Sequence, residues 1–401
     1  MHSNVFLQLF LITLVLTMVY NELYEGSKCL LENGNAGICK KLPDCSPRMK
    51  EVLEGKRHAT STGRCGFDDF EEIVCCPLNI TEKIVPRLAE AACQQYDNEI
   101  TPDDVKALDL SFHIYGGTEA QSGEFPYMVT LGYKNNDTSD DPSPIKYNCG
   151  GSLISSQHVL TAAHCANNIH ERVPVEVRLG NEDMRNVTNV QRIQISDIMY
   201  HPGFKRSTNY NDVAILKLKT QVQLSKTVKP ICLQTKSLGI ISITPRTPLV
   251  AIGWGATSFE DENSKPDKLL KTSGLSLVDK EECDKHYKGH RKLPRGIDDS
   301  MICTRDTNSS RRSDACGGDS GGPLLMLTES GDSVIGITAF GQFCGSSAPG
   351  VYTSVYHYLD WIEEQVWTGS EQESKEETKT RKEKETKAVK TEFINFTITY
   401  E

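Results

Sequence analysis

Six of the fourteen cysteines in the chain lie within residues 29–76. A unit this small buries too little apolar surface to be stable without cross-links, so disulfide bonds are expected to stabilise it. Six cysteines can pair in fifteen ways, and their spacing does not choose among them. Cys75 and Cys76 are adjacent and are expected to bond to two different partners. The cysteines predict a disulfide-knotted N-terminal unit that forms in an oxidising compartment.

The extreme N-terminus is consistent with export. Residues 5–19, VFLQLFLITLVLTMV, are almost wholly apolar but short for a bilayer span, which predicts a secretory signal over residues 1–20. An uncleaved signal anchor is the alternative. The net charge of -10 argues against nucleic acid or an anionic membrane as a partner. In a secreted chain, five Asn-x-Ser/Thr triplets are candidate glycan sites: Asn79, Asn136, Asn186, Asn308 and Asn395.

The rest of the chain changes character twice. Residues 77–113 combine prolines, many charges and the single cysteine Cys93, which is typical of a linker or propeptide. From residue 114 to 367, short β-type runs alternate with turn residues, which favours an all-β sandwich or barrel fold. The stretch 355–367, VYHYLDWIEEQVW, has apolar residues at helical spacing and predicts a closing helix. The low-complexity tail 368–401 is expected to be solvated, with partner binding as the alternative.

Three segments offer the groups needed for peptide-bond hydrolysis: LTAAHC (160–165), NDVAIL (211–216) and DACGGDSGGP (314–323). Such chemistry needs a nucleophile, a base that deprotonates it and a group that fixes the tautomer of the base. Ser320, His164 and Asp212 are candidates for these three roles. The backbone N–H groups of Gly318 and Ser320 lie in a glycine-rich turn, where they can converge as an oxyanion hole.

In this order, and together with GWG (253–255), the motifs resemble those of chymotrypsin-fold serine proteases. The N-terminal knot, ending in CGFDDFEEIVCCP, resembles a CLIP domain. Residues 29–367 therefore resemble the arthropod CLIP-domain serine proteases, particularly the snake- and persephone-like group. The resemblance implies a CLIP domain over 29–76 and, over 114–367, two six-stranded β-barrels with the active site in the cleft between them.

The resemblance also implies a complete disulfide pairing. No cysteine is left over. The implied pairs are Cys29–Cys75, Cys39–Cys65, Cys45–Cys76, Cys93–Cys232, Cys149–Cys165, Cys283–Cys303 and Cys316–Cys344.

Substrate specificity follows from the same resemblance. Asp314 matches the base of a trypsin-like S1 pocket, and Gly341 and Gly350 match pocket walls without side chains. Since a buried carboxylate pairs with a cationic side chain, cleavage after Arg or Lys is expected. The sequence Ala339-Phe340-Gly341 departs from the usual Ser-Trp-Gly, and the missing hydroxyl normally bonds the triad aspartate and lies beside the P1 backbone. Reduced activity is expected from this change, with the triad retained.

The residues before Ile114 predict an unusual activation step. In this family a cut before I-x-G-G frees an ammonium that pairs with the carboxylate before the nucleophile, here Asp319. His113 precedes the bond, where Arg or Lys is usual, and no basic residue lies between Lys106 and Ile114. One interpretation is an activator of different specificity, or an upstream cut followed by trimming. The other is a broad protease that accepts His113.

The resulting hypothesis is a secreted endopeptidase zymogen that cleaves downstream zymogens. Its expected partners are those substrates, an upstream activating protease and serpin inhibitors. No cofactor is expected. A calcium site in the loop after RLGNEDMRN (178–186) is conceivable, but the residues do not spell one. Two alternatives come from other classes: a catalytically weak or silent CLIP-domain cofactor, and a digestive or venom trypsin.

Overall fold

The computed structural model describes only part of the chain, in two compact units. The described residues are 25–32, 34, 36–58, 62–68, 71–77, 86–98, 118–135, 144–167, 173–239, 241, 243, 247–256, 265–272, 274–306, 308, 313–328, 331–342 and 345–368. The signal 1–20, the activation residues His113 and Ile114 and the tail 369–401 lie outside them. No helix within these ranges has the length and apolarity needed to cross a membrane.

The N-terminal unit is a four-stranded antiparallel sheet in the order β1-β2-β4-β3. A 3-10 turn, Leu42–Asp44, and one helix connect the second and third strands. The labelled elements are β1 (Lys28–Leu30), β2 (Ala36–Lys41), α1 (Ser46–Leu53), β3 (Arg64–Asp68) and β4 (Glu71–Pro77). Three disulfides cross this sheet: Cys29–Cys75, Cys39–Cys65 and Cys45–Cys76.

Apart from its cysteines, this unit has a very small apolar core, in which Ile73 and Val74 are buried. A buried arginine on α1 compensates in part. The guanidinium of Arg48 donates to the carbonyl oxygen of Cys75 and forms an ion pair of 2.7 Å with Glu32. Cross-links and a satisfied buried charge therefore replace the hydrophobic core of a larger domain.

The second unit begins with a helix that the sequence does not predict. The helix α2 (Leu88–Asn98) occupies the middle of the expected linker, where Ala, Leu, Glu and Gln favour helix. The disulfide Cys93–Cys232 fixes it covalently. Its N-terminal end is bound by the side chain of Glu363, which accepts from the N–H of Ala89 at 3.0 Å and pairs with Arg87 at 2.9 Å.

The first barrel is closed by six antiparallel strands in the order β10-β11-β8-β7-β6-β9. Leu131, Leu153 and Leu216 are fully buried in it. Closure leaves no sheet edge unpaired. A two-residue strand, β5 (Thr118–Glu119), precedes the barrel. The six strands of the first barrel are β6 (Met128–Lys134), β7 (Ile145–Ser155), β8 (His158–Thr161), β9 (Pro174–Leu179), β10 (Gln191–Tyr200) and β11 (Ala214–Leu218).

The second barrel is a ring of six strands, in the order β13-β17-β18-β19-β16-β15 and back to β13. Two short strands extend it: β12 pairs with β18, and β14 links β13 to β5. The strands are β12 (Cys232–Leu233), β13 (Leu249–Gly253), β14 (Leu270–Lys271), β15 (Leu275–Val278), β16 (Met301–Asp306), β17 (Pro323–Met326), β18 (Ser333–Phe340) and β19 (Gly350–Ser354). The predicted all-β double barrel is confirmed.

Three short helices complete this unit: α3 (Ala163–Ala166), α4 (Lys280–Tyr287) and α5 (Leu359–Glu363). The helix α5 continues as a π-helical turn, Glu364–Thr368. The closing helix predicted over 355–367 therefore starts four residues later, because Val355 to Tyr358 form a turn.

Candidate active site

Strand pairing brings His164 and Asp212 together. In the antiparallel pair of β8 and β11, Thr161 lies opposite Ala214. His164 is three residues beyond Thr161, and Asp212 is two residues before Ala214. The Nδ1 atom of His164 lies 2.6 Å from Oδ2 of Asp212, and the backbone N–H of His164 donates to Oδ1 at 2.8 Å. Both carboxylate oxygens therefore bind the same residue and fix the orientation of its imidazole.

The environment of His164 favours a charged imidazolium. Burial alone would lower the pKa of His164, but the attraction of Asp212 and its hydrogen bond outweigh burial and raise this pKa above its usual value. Asp212 is 4% exposed. A buried carboxylate beside an imidazole stabilises the proton that the imidazole accepts during catalysis.

Two residues that sequence reasoning missed position Asp212. Asn211 has a φ of 56°, and its side chain donates to the carbonyl oxygen of Gly203 and accepts from the hydroxyl of Tyr358. Thr353, in the second barrel, donates to the carbonyl oxygen of Asp212 at 3.1 Å. Asn tolerates the left-handed region better than most residues, which was the available signal in NDVAIL.

Ser320 lies in the turn before β17, against the first barrel. Its carbonyl oxygen accepts from the N–H of Gly150 at 2.8 Å and lies 3.4 Å from Sγ of Cys165. The same sulfur lies 3.7 Å from Nε2 of His164. Within the described residues no hydrogen bond joins the Ser320 hydroxyl to His164, a separation that is common in unliganded sites.

Within GGDSGG, Gly318 and Gly321 are required by their backbone conformation and close contacts. Gly318 and Gly321 have φ values of 105° and 79°, which side-chain-bearing residues rarely adopt. A Cβ atom on Gly321 would lie 2.3 Å from Oγ1 of Thr161 and 2.6 Å from the carbonyl oxygen of Gly150. The turn that presents Ser320 can therefore contact the first barrel only if this position is glycine.

Asp319 is mostly buried behind the turn. Its carboxylate accepts from the N–H of Gly255 at 2.6 Å and from the N–H of Cys316 at 2.8 Å. Burial raises the pKa of Asp319 to about 6 despite these two donors. A Cβ atom on Gly253 would lie 2.0 Å from Oδ1 of Asp319, and one on Gly255 would lie 2.5 Å from Oδ2. The GWG motif therefore makes room for this carboxylate, a role that the sequence did not reveal.

Asp314 lies at the candidate S1 pocket. Its Oδ1 accepts from the N–H of Ala315 at 2.9 Å, and a Cβ atom on Gly350 would lie 2.8 Å from the same oxygen. A Cβ atom on Gly341 would meet no atom within 4 Å. Burial raises the pKa of Asp314 to about 7, and the charge of Asp319 contributes. A carboxylate of this kind is stabilised by an incoming cation.

Two further disulfides support the site, Cys149–Cys165 and Cys283–Cys303. All six pairs that the structure contains among its described residues coincide with those the resemblance implies. Cys316 is disulfide-bonded, and its expected partner Cys344 lies outside the described residues. Among the candidate glycan sites, Asn186 and Asn308 are exposed, whereas Asn79, Asn136 and Asn395 lie outside the described residues.

A buried guanidinium occupies the loop considered for calcium. Arg178 is 4% exposed and donates to the carbonyl oxygens of Asp183 at 2.9 Å and Asn186 at 2.8 Å. Longer contacts of 3.4 Å reach the carbonyl oxygens of Asn181 and Met184. The loop carbonyls thus already face a positive charge.

Within the described parts of the chain, two other groups place possible metal-binding atoms together: Cys29, Cys39 and Cys65, and Cys149, His164 and Cys165. Every cysteine in these groups belongs to a disulfide. Neither group therefore offers the thiolates that metals bind.

The paired barrels and the chemistry assembled in their cleft define a serine endopeptidase. The trypsin family model matches residues 114–362, and the chain belongs to this family. The chain is 35% identical over 366 residues to Serine protease snk of Drosophila melanogaster, which covers 87% of this chain and 80% of that protein.

Two other relatives match a similar share of the chain. Phenoloxidase-activating enzyme 1 of Spodoptera litura is 30% identical over 373 residues, covering 85% of this chain and 94% of that enzyme. CLIP domain-containing serine protease C9 of Anopheles gambiae is 29% identical over 351 residues, covering 85% and 86%. The resemblance to arthropod CLIP-domain serine proteases is confirmed.

Proposed function

We propose that the protein is the zymogen of a secreted endopeptidase that cleaves after Arg or Lys, upstream in an extracellular haemolymph cascade such as innate immune Toll or melanisation signalling. The observation that carries this proposal is the mostly buried carboxylate of Asp314 beside Gly350, in the same unit as the His164–Asp212 pair. One relative is named as a phenoloxidase-activating enzyme, which supports action on another protein.

In the proposed mechanism, the Ser320 hydroxyl attacks the scissile carbonyl carbon while its proton passes to Nε2 of His164. Asp212 holds the Nδ1 proton and stabilises the imidazolium. The N–H groups of Gly318 and Ser320 donate to the oxyanion, and losing one such donor typically costs about 3 kcal/mol of transition-state stabilisation. His164 then protonates the leaving amine, and a water molecule repeats the sequence to release the acyl group.

Asp314 supplies the specificity in this proposal. An Arg or Lys side chain forms a charge-assisted pair with it, whereas an apolar side chain leaves a desolvated carboxylate without a partner. The raised pKa of Asp314 reflects the same burial of a carboxylate.

Activation is proposed to follow cleavage between His113 and Ile114. The new ammonium would pair with Asp319, whose described hydrogen bonds come from two backbone N–H groups. Because His113 is not the cation that Asp314 selects, the mature enzyme is a poor activator of its own zymogen. An upstream protease of different specificity is therefore the proposed activator.

We further propose that activity needs no metal, since Arg178 supplies the positive charge in the candidate calcium loop. Serpins are the proposed inhibitors, because they act on serine endopeptidases of this specificity. The signal at residues 1–20 supports an extracellular location.

The test uses a zymogen that can be cut at will. An enteropeptidase site directly before Ile114 is built on Asp109 by four substitutions: Leu110→Asp, Ser111→Asp, Phe112→Asp and His113→Lys. After cleavage we expect hydrolysis of Arg and Lys coumarin amides and no hydrolysis of the Phe amide, with Ser320→Ala as the inactive control. Failure of the cut enzyme to react with a fluorophosphonate would favour the silent cofactor, and broad casein digestion would favour a digestive enzyme.

The unaltered zymogen tests the activation step separately. We expect trypsin to release little Ile114 terminus from it, because no Arg or Lys precedes that bond. Efficient formation of an Ile114 terminus with Arg-amidase activity would contradict the proposed role of His113.

A further inference from the structure

A second recognition region adjoins His164. A cavity of about 480 Å³ opens beside the His164–Asp212 pair. Its walls are residues 204–209, which connect β10 to β11 of the first barrel, and residues 290–292, which connect α4 to β16 of the second. Residues 339–341 complete the lining.

The charge of this cavity is one-sided. Arg206, Arg291 and Lys292 line it and are exposed, and the only carboxylate in the lining is Asp212, which already binds His164. In the described ranges, neither Arg291 nor Lys292 forms an ion pair. By contrast, the neighbouring Arg295 lies outside the lining and pairs with an aspartate at 3.1 Å. Arg291 and Lys292 therefore present positive charges to the cleft that no carboxylate among the described residues pairs with.

The positive charge of Lys292 acts on His164 in the catalytic centre. Lys292 lowers the pKa of His164, against the larger effect of Asp212. A cleft lined by charges of one sign concentrates the field and favours ligands of opposite sign.

The two cationic walls are fixed relative to each other. The N–H of Asn209 donates to the carbonyl oxygen of Lys292 at 3.0 Å, which joins the segments across the cleft. Next to Lys292, Leu293 is buried in a small core. The ring of His290 stacks on Phe340 with an interplanar angle of 14°. A rigid site loses less conformational entropy when it binds a ligand.

We infer that this cleft selects protein substrates with Asp or Glu at P2, P3 or P4, before the Arg or Lys at P1. His164 and residues 339–341 line the same cavity as the cationic walls, and Phe340 stacks on His290. The resemblance implies that Ala339 lies beside the P1 backbone, so residues that precede P1 would enter this cavity. The inference deepens the proposed function and rests on it. Asp314 binds the cationic side chain at P1, and Arg206, Arg291 and Lys292 bind the acidic side chain before it.

Coumarin amides test this side of the cleft alone, because they carry residues only before the scissile bond. We compare acetyl-Gly-Gly-Gly-Arg amides in which each glycine is replaced by Asp, Asn or Lys. Asp is expected to exceed Asn in kcat/KM by about fivefold at one or more positions, as exposed charge pairs typically provide. Lys is expected to fall below Asn, and the preference is expected to shrink at high salt.

Variants assign the preference to residues. In Arg291→Gln/Lys292→Gln the ratio of Asp to Asn substrates is expected to fall toward one. Lys288→Gln, which removes an exposed charge from the same segment but outside the cavity lining, is the matched control and should keep the ratio. Equal rates for Asp and Asn peptides in the unaltered enzyme would overturn this inference alone. Absence of any cleavage after Arg would instead overturn the proposed function.

Discussion

Adding one methyl group to Gly350 should disable recognition of the P1 cation. The Cβ atom would lie 2.8 Å from Oδ1 of Asp314, and ordinary contacts begin near 3.4 Å, so the carboxylate must move by about 0.6 Å. That oxygen also accepts from the N–H of Ala315 at 2.9 Å, a bond that the movement lengthens. Hydrogen bonds to charged groups contribute about 1.5–3 kcal/mol, which corresponds to a loss of affinity of roughly 10- to 150-fold.

The assay is competitive inhibition by benzamidine, a small cation, against an Arg coumarin amide. Gly239→Ala is the matched control, because residue 239 lies outside the site and its added methyl group would make only an ordinary contact of 3.7 Å, with Oγ of Ser237. Its inhibition constant should stay within about twofold, as for substitutions that create no close contact. A Gly350→Ala enzyme that binds benzamidine as tightly as the unaltered one would refute the reasoning, as would a larger loss in Gly239→Ala.

Three further predictions concern pH and metal. At acid pH, kcat/KM for Arg amides should fall with two protonations. His164 must be neutral to accept a proton, and Asp314, with a pKa of about 7, must be ionised to bind the cation. In Asp314→Asn only the protonation of His164 should remain. At alkaline pH, activity should fall above pH 8, because a free α-amino group has a pKa of about 8 and pairing of Ile114 with Asp319 raises it; a flat profile to about pH 11 would contradict that pairing. EDTA should not change activity, whereas Arg178→Leu should lower the Tm by removing the hydrogen bonds from the guanidinium to the carbonyl oxygens of Asp183 and Asn186. A loss of activity in EDTA that calcium restores would contradict the assignment of Arg178.

The sequence predicted the catalytic constellation because its signals are local. His164 follows a short strand, Asp212 precedes another, and the glycines around Ser320 record a turn that only glycine can form. Each of these patterns can be recognised within one short segment of the sequence. The short β-type runs favoured an all-β sandwich or barrel, and the resemblance carried by the motifs implied the double barrel.

Other features depend on contacts between distant segments, which a single sequence does not reveal. The helix α2 lies in a stretch whose prolines and charges favoured a linker, yet Glu363, far along the chain, binds its first turn. In the sequence, Arg178 looks like an ordinary strand residue. Only the structure shows that carbonyl oxygens of the following loop accept from its guanidinium. The basic cleft combines residues 206 and 291–292, which meet only because the two barrels pack together.

The bond between Cys93 and Cys232 has a consequence for the mature enzyme. A cut after residue 113 severs the backbone between the CLIP unit and the catalytic unit, yet the two pieces stay covalently joined. If the CLIP unit is bound to a surface or a protein, the active enzyme would therefore stay there after cleavage. An inhibitor that binds the active site would remove both pieces together. Cleavage before Ile114 would therefore activate the enzyme without releasing it from the CLIP unit.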